Sequence, residues 1–235
     1  MPFQGFSEET NRYFFGAELE NTRAYFERNR EVYQTYVKKP LLALHEELVA
    51  VAKEIDEDIV VAPNRCTSKA FNDFRYTGKV TPVKTYMYLH FFSPAENKAY
   101  DTPGVFFDAG STGYRIGFGS YDMTPPAMEA VRRAILSRRR AFLNLEEQRV
   151  ADGFELRGAD YKRDHFPDEP EPLKTWLNKR SFYLVRECAH DEAYYSHALV
   201  DVLRDAFLRC KPIYWFMKRA MQEQAAERPR GYTPV

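Results

Sequence analysis

The 235-residue sequence predicts an α+β fold: a central, mostly antiparallel β-sheet packed against several α-helices. Three observations point there. Aromatic residues alternate at period two between Phe71 and Gly119, apolar residues recur at steps of three and four in the segments before and after, and hydrophobic side chains make up 44% of the chain, enough for a substantial core. With no strong internal repeat and no long linker, the simplest organisation is one compact domain over 1–235, with a frayed tail at Arg228 to Gly231.

Ser7 ahead of Glu8 and Glu9 marks a helix start, because a hydroxyl accepts a terminal N–H bond and acids favour the positive end of a helix. The helix runs to about Leu19 and turns Tyr13 and Phe14 toward the core. A second helical run begins at Thr22, with Phe26, Tyr33 and Val37 on its buried stripe, and Pro40 either kinks it or opens a new helix. Leu41, Leu44, Leu48, Val51 and Ile55 then share one helix face that packs internally. Tyr86, Tyr88, His90 and Phe92 alternate with Met87, Leu89 and Phe91, which predicts a central strand covered on both faces, with His90 in a structural role. Gly104 to Ala109 and Tyr114 to Gly119 read as two strands joined across Gly110-Ser111-Thr112-Gly113.

Thr124 caps and Pro125 opens the next helix. Met128, Val131, Ile135, Phe142 and Leu145 form its buried side, and Arg132, Arg133 and Arg138-Arg139-Arg140 its basic exterior. Phe154 to Gly158 is a short strand, Glu169 to Pro172 a connector, Leu173 to Leu177 a short helix and Phe182 to Cys188 a strand. Leu199, Leu203, Ala206, Cys210 and Ile213 fit a helical stripe that continues toward Met217, with a break or kink at Pro212.

Equal totals of 34 basic and 34 acidic residues give no global drive toward nucleic acid or an anionic membrane. The N-terminal stretch lacks the basic region and apolar run of a secretory signal, and no segment has transmembrane length. Cys66, Cys188 and Cys210 are widely spaced and form no CxxC pair, which fits a reducing compartment. A cytoplasmic location follows from these features.

The order of landmarks resembles the bacterial domain-of-unknown-function 2461 family over nearly the whole chain. The matching stretches are FQGFSEET, ENTRAYFERNREVY, NDFRYTGKVTPVKT, YRIGFGSYDMTPPAMEAVRRAI, YKRDH and NKRSF. The resemblance implies a compact α+β protein with a sheet-rich centre covered by helices. It also draws attention to a pocket segment in which Arg75-Tyr76, Pro82 and Lys84 match the family pattern. In between, Gly78 and Val80 stand where the family carries basic residues, and Lys79 stands at an acidic position, so that part of the pattern is not carried over. Tyr161 and Asp164-His165 match too, with Lys162 in place of an acid and Phe166 in place of a proline.

Arg75, Lys79, Lys84 and Arg115 are the candidate ligand-binding residues for a small phosphorylated or carboxylated anion, with Tyr76, Tyr114, Lys162, Arg163 and Arg180 as secondary contacts. Arginine makes fork-like contacts to both groups and lysine supplies a mobile charge. In the second strand of the hairpin Arg115 shares a face with Gly117 and Gly119, which makes either a shallow groove or a bend required by geometry alone. No cofactor and no metal site is predicted: Asp160, Asp164, His165, His190 and Asp191 have suitable ligand atoms at spacings that match no defined motif. Phosphate-loop, dinucleotide and GxSxG signatures are missing, and the basic helix lacks the base-stacking aromatics of a nucleic-acid reader. Three readings stay open: an anion-binding domain, a structural or protein-interaction domain built on its amphipathic helices, and an enzyme acting on an anionic substrate.

Overall fold

Helix α1, Glu8–Leu19, starts at Ser7, whose backbone N–H donates to Thr10 Oγ1 at 3.2 Å. The computed structural model describes residues 2–73, 81–94, 103–120 and 123–227; the tail from Arg228 and the pocket residues Arg75, Tyr76 and Lys79 lie outside them. The chain divides into two compact units, each drawn from three segments: 1–92, 105–116 and 187–208 form one, and 93–104, 117–186 and 209–235 the other. The strands are β1 (Met87–Phe92), β2 (Gly104–Ala109), β3 (Tyr114–Ser120), β4 (Glu155–Arg157) and β5 (Phe182–Cys188). They make one five-stranded sheet in the order β1-β2-β3-β5-β4. The predicted α+β class, an antiparallel sheet packed against helices, is what the chain adopts.

In the first unit, α2 (Arg23–Arg28) begins at Thr22, whose side chain accepts the Tyr25 N–H at 3.0 Å. The helical path resumes at Arg30, widens into a π-helical stretch over Tyr33–Lys38 and continues as α3, Lys39–Ile55. Pro40 explains the widening: without an N–H it cannot serve the Tyr36 carbonyl one turn earlier. Thr10 supplies the missing donor from α1, its hydroxyl reaching Tyr36 O at 2.6 Å. Leu41, Leu44, Leu48, Val51 and Ile55 are all buried, as their spacing requires. A second cluster forms where Phe6 lies 5.8 Å from Phe107 and 5.2 Å from Tyr194, ring to ring.

Strand β1 differs from expectation, since it ends the strand order instead of occupying the centre. Its outer edge is covered by the segment after α3, through isolated antiparallel bridges Val60↔Phe92 and Thr67↔Leu89 and the Ser68 N–H to Tyr88 O bond of 2.9 Å. Covering an edge satisfies backbone groups as well as central placement does, which is why hydrophobicity alone misjudged the position. Met87, Leu89 and Phe91 are buried, whereas Tyr86 on the opposite parity is 36% exposed.

His90 on this strand has its Nε2 shut off from solvent with no hydrogen-bond partner among the described residues. Burial pulls its pKa down to about 4. An unfolded chain takes up this proton near pH 6.5 and the folded chain does not, so the neutral ring's contribution is fully present above pH 6.5 and is lost as pH falls toward 4. Stability is therefore expected to drop through that window with a slope from this one group of up to ~1.4 kcal/mol per pH unit. His90→Phe should remove that share of the slope in urea titrations at pH 7, 5.5 and 4.5; an identical slope in the variant would contradict it.

In the second unit, α4 of the long basic segment runs Pro125–Ser137 from its Thr124 cap, and α5 runs Arg139–Ala151. The single helix expected here breaks at Arg138, whose backbone leaves the helical region at φ −127°, ψ 40°. Arg132 is also not on the exterior: it is 5% exposed. It donates to the Leu177 and Lys179 carbonyls at 2.8 and 2.6 Å, closing the end of α6 (Leu173–Leu177). Those carbonyls lack intrahelical donors and a cation is their natural partner. Trp176 of α6 packs edge-on against Phe142 and Phe182 at 5.1 and 5.0 Å. Strand β4 pairs with β5 antiparallel, in the register Glu155↔Val185, Leu156↔Leu184, Arg157↔Tyr183. The last helix, α7 (Ala198–Glu227), runs on through Pro212.

Candidate functional site

The β2–β3 hairpin borders a cleft of the first unit. Its loop closes with the Gly110 N–H donating to Gly113 O at 3.0 Å, which puts positions 109 and 114 opposite each other, and then 108 and 115. Alternation sends Tyr114 and Ile116 into the core and Arg115 to the other face. Asp108 meets it there: Arg115 Nε donates to Oδ1 at 2.7 Å and a terminal nitrogen to Oδ2 at 3.0 Å. The Asp108 side chain is 10% exposed and that of Arg115 35%.

Around this pair opens a space of about 580 Å³, within the usual range for small-molecule sites. Tyr86 stands on one wall, Glu18 at the end of α1 on another, and Glu187 and Cys188 at the end of β5 on a third. Ser111 Oγ donates to Glu18 Oε1 at 2.7 Å and fixes that carboxylate across the hairpin loop. Gly113 is glycine for a steric reason: a Cβ there would lie 2.6 Å from the Cys188 carbonyl oxygen. Among the described lining residues, the charged side chains are those of Glu18, Asp108, Arg115 and Glu187. Burial pushes the Asp108 carboxyl up, Arg115 opposes by hydrogen bond and charge, and Glu187 adds a lesser upward push.

Behind the cleft, the Tyr114 hydroxyl donates to Asp191 at 3.3 Å. Burial, followed by the proximity of Cys188 and Asp191, drives the Tyr114 phenol far above its ordinary range. It stays protonated, and so a hydrogen-bond donor, at neutral pH. His190 stacks on Tyr194 at 4.2 Å and is held below its ordinary pKa by burial. Tyr194 in turn donates to Asn11 Oδ1 at 3.0 Å, which ties this network to α1.

Of the residues singled out from sequence, Arg115 and Tyr114 line the cleft. Lys84 lies beside it: its ammonium donates to Asn72 Oδ1 at 3.1 Å and sits 5.9 Å from the ring centre of Tyr86, a lining residue. Arg75, Tyr76 and Lys79 are outside the described residues. Lys162, Arg163 and Arg180 belong to the second unit, where they are exposed on the antiparallel segments bridged at Asp160↔Lys179. Asp108 was missed although a signal existed: a carboxylate inside the apolar run Val105 to Ala109 needs a partner, and Arg115 stands in register across the loop. Glu18 and Glu187 carry no such signal, because α1 and β5 reach the cleft only through the tertiary fold. Among the described residues, no three His, Cys, Asp or Glu side chains are grouped to hold a metal ion, and no helix is long and apolar enough to cross a membrane.

The chain matches a family model described as conserved hypothetical protein (DUF2461) over residues 9–216. No match is found among curated proteins.

Proposed function

Taking as premise that the chain belongs to the DUF2461 family, we propose that it is a small-ligand-binding protein whose cleft captures the carboxylate of a small organic anion at Arg115. The observation that carries this reading is the Asp108–Arg115 pair. A carboxylate that is nine-tenths buried grips the guanidinium by two nitrogens and holds it in one orientation, while the side chain keeps 35% of its surface exposed on the cleft. A guanidinium fixed in this way is preorganised for a planar, forked partner. A carboxylate suits the surroundings better than a phosphate dianion, which would bring twice the charge up to Glu18, Asp108 and Glu187. Lys84, over Tyr86, is a second cation for the same ligand. Arg75 and Lys79 stay in the proposal on sequence grounds, as neighbours of Lys84 along the chain. The three free thiols support a reducing, cytoplasmic setting.

Isothermal titration with butanoate tests the proposal. Arg115→Gln is expected to weaken binding about 10- to 100-fold, equivalent to ~1.5–3 kcal/mol for a hydrogen bond to a charged group. Arg115→Lys, which keeps the charge and loses the fork, should fall between the two. Equal affinities in all three proteins, each shown to be folded by its melting curve, would sink it.

A further inference from the structure

Resting on the carboxylate reading of the same cleft, we infer that the ligand is an aromatic carboxylate whose flat ring lies along Tyr86, between the Asp108–Arg115 pair and the hairpin loop at Gly110. The two ends of the Tyr86 side chain set this placement. At its root, a Cβ added at Gly110 would lie 3.8 Å from the Tyr86 Cβ. At its tip, the phenol senses both members of the pair: burial raises its pKa most, Asp108 adds a lesser rise and Arg115 pulls it down. The ring thus runs along the cleft wall from the loop toward the guanidinium, and it keeps 36% of its surface exposed, whereas Tyr114 is buried. A carboxylate attached directly to a benzene ring matches this side chain in size, so with its acid group on Arg115 its ring falls over that of Tyr86. Offset stacking of two rings gains more than the area they bury. Gly110 supplies a separate observation. Its backbone lies outside the positive-φ region, and a Cβ there would make only ordinary contacts, at 3.5 Å with the Thr85 carbonyl oxygen and at 3.8 Å with Tyr86. Neither turn geometry nor packing demands glycine here, and the missing side chain leaves open space beside Tyr86 on the cleft wall. Close approach of a ligand to the backbone is the use of glycine that fits.

Matched acids separate this inference from the reading beneath it. The full chain is titrated by calorimetry with benzoate, with cyclohexanecarboxylate, which is of similar size without being flat, and with acetate, which reaches only the guanidinium. Benzoate is expected to bind about 2- to 10-fold tighter than cyclohexanecarboxylate, the gain from one aromatic pair. Tyr86→Leu should erase that preference. Gly110→Leu should weaken benzoate while acetate binds as before, with the melting curve of each variant showing that it is folded. Equal binding of the two ring acids, a benzoate preference that survives Tyr86→Leu, or benzoate untouched by Gly110→Leu, with Arg115→Gln weakening every acid, would overturn the aromatic ligand and leave the carboxylate reading standing. Binding of all three acids untouched by Arg115→Gln, or no binding by any of them, would overturn both.

Discussion

Glu146→Ala is expected to destabilise the protein by about 3–5 kcal/mol, the range for breaking a buried charge pair by removing one partner. The Glu146 carboxylate accepts the Trp176 indole N–H at 2.9 Å and two Arg149 nitrogens at 2.7 and 2.6 Å. The two side chains of the pair are 8% and 13% exposed, so water cannot readily take over either role. Alanine would leave the guanidinium with its bond to the Phe154 carbonyl and without its Glu146 countercharge, and would strip the acceptor from an indole packed between Phe142 and Phe182. Glu146→Gln retains an acceptor for both neighbours and should cost less. Urea denaturation of the three proteins checks the order; a loss below about 1 kcal/mol for alanine would place this pair with solvent-exposed ones instead.

Gly119→Ala is the second large effect, at about 2–6 kcal/mol. The residue has φ of +129°, a region in which an L side chain is strained by roughly 1–3 kcal/mol. A Cβ there would also lie 2.8 Å from the Tyr183 Cα and 3.0 Å from the Phe182 carbonyl oxygen, a contact that only backbone movement relieves, at roughly 1–3 kcal/mol. Calorimetric unfolding of the variant should show a clear fall in melting temperature, and an unchanged one would contradict the close approach. Gly119 is thus accounted for by strand geometry, the alternative to a groove that the Arg115-Gly117-Gly119 face left open.

The elements legible in the sequence are those whose causes are local. Leu41 to Ile55 announce a helix because burial of one face at steps of three and four is decided within the segment itself. The β2–β3 hairpin is legible for the same reason, through alternation on either side of four turn residues. What escaped depends on partners far along the chain. Arg132 reads as a surface cation until α6 offers its terminal carbonyls 45 residues later. Tyr33 to Lys38 widens because Pro40 orphans a carbonyl, yet only the Thr10 hydroxyl 26 residues earlier makes that tolerable. The candidate site divides along the same line. Arg115 is visible from strand alternation and Asp108 is inferable from its register, whereas Glu18 and Glu187 are delivered by the ends of α1 and β5. Hence the basic character was readable and the acidic walls were not.

The central claim, that Arg115 on the floor of this cleft takes a carboxylate, is tested most directly by following the Arg115 Nε–Hε signal in a nitrogen-15 correlation spectrum while butanoate is added to the full chain. A saturable shift of that signal, removed from the spectrum by Arg115→Lys, is the expected result. An Arg115 signal that stays still while butanoate saturates another site would contradict it.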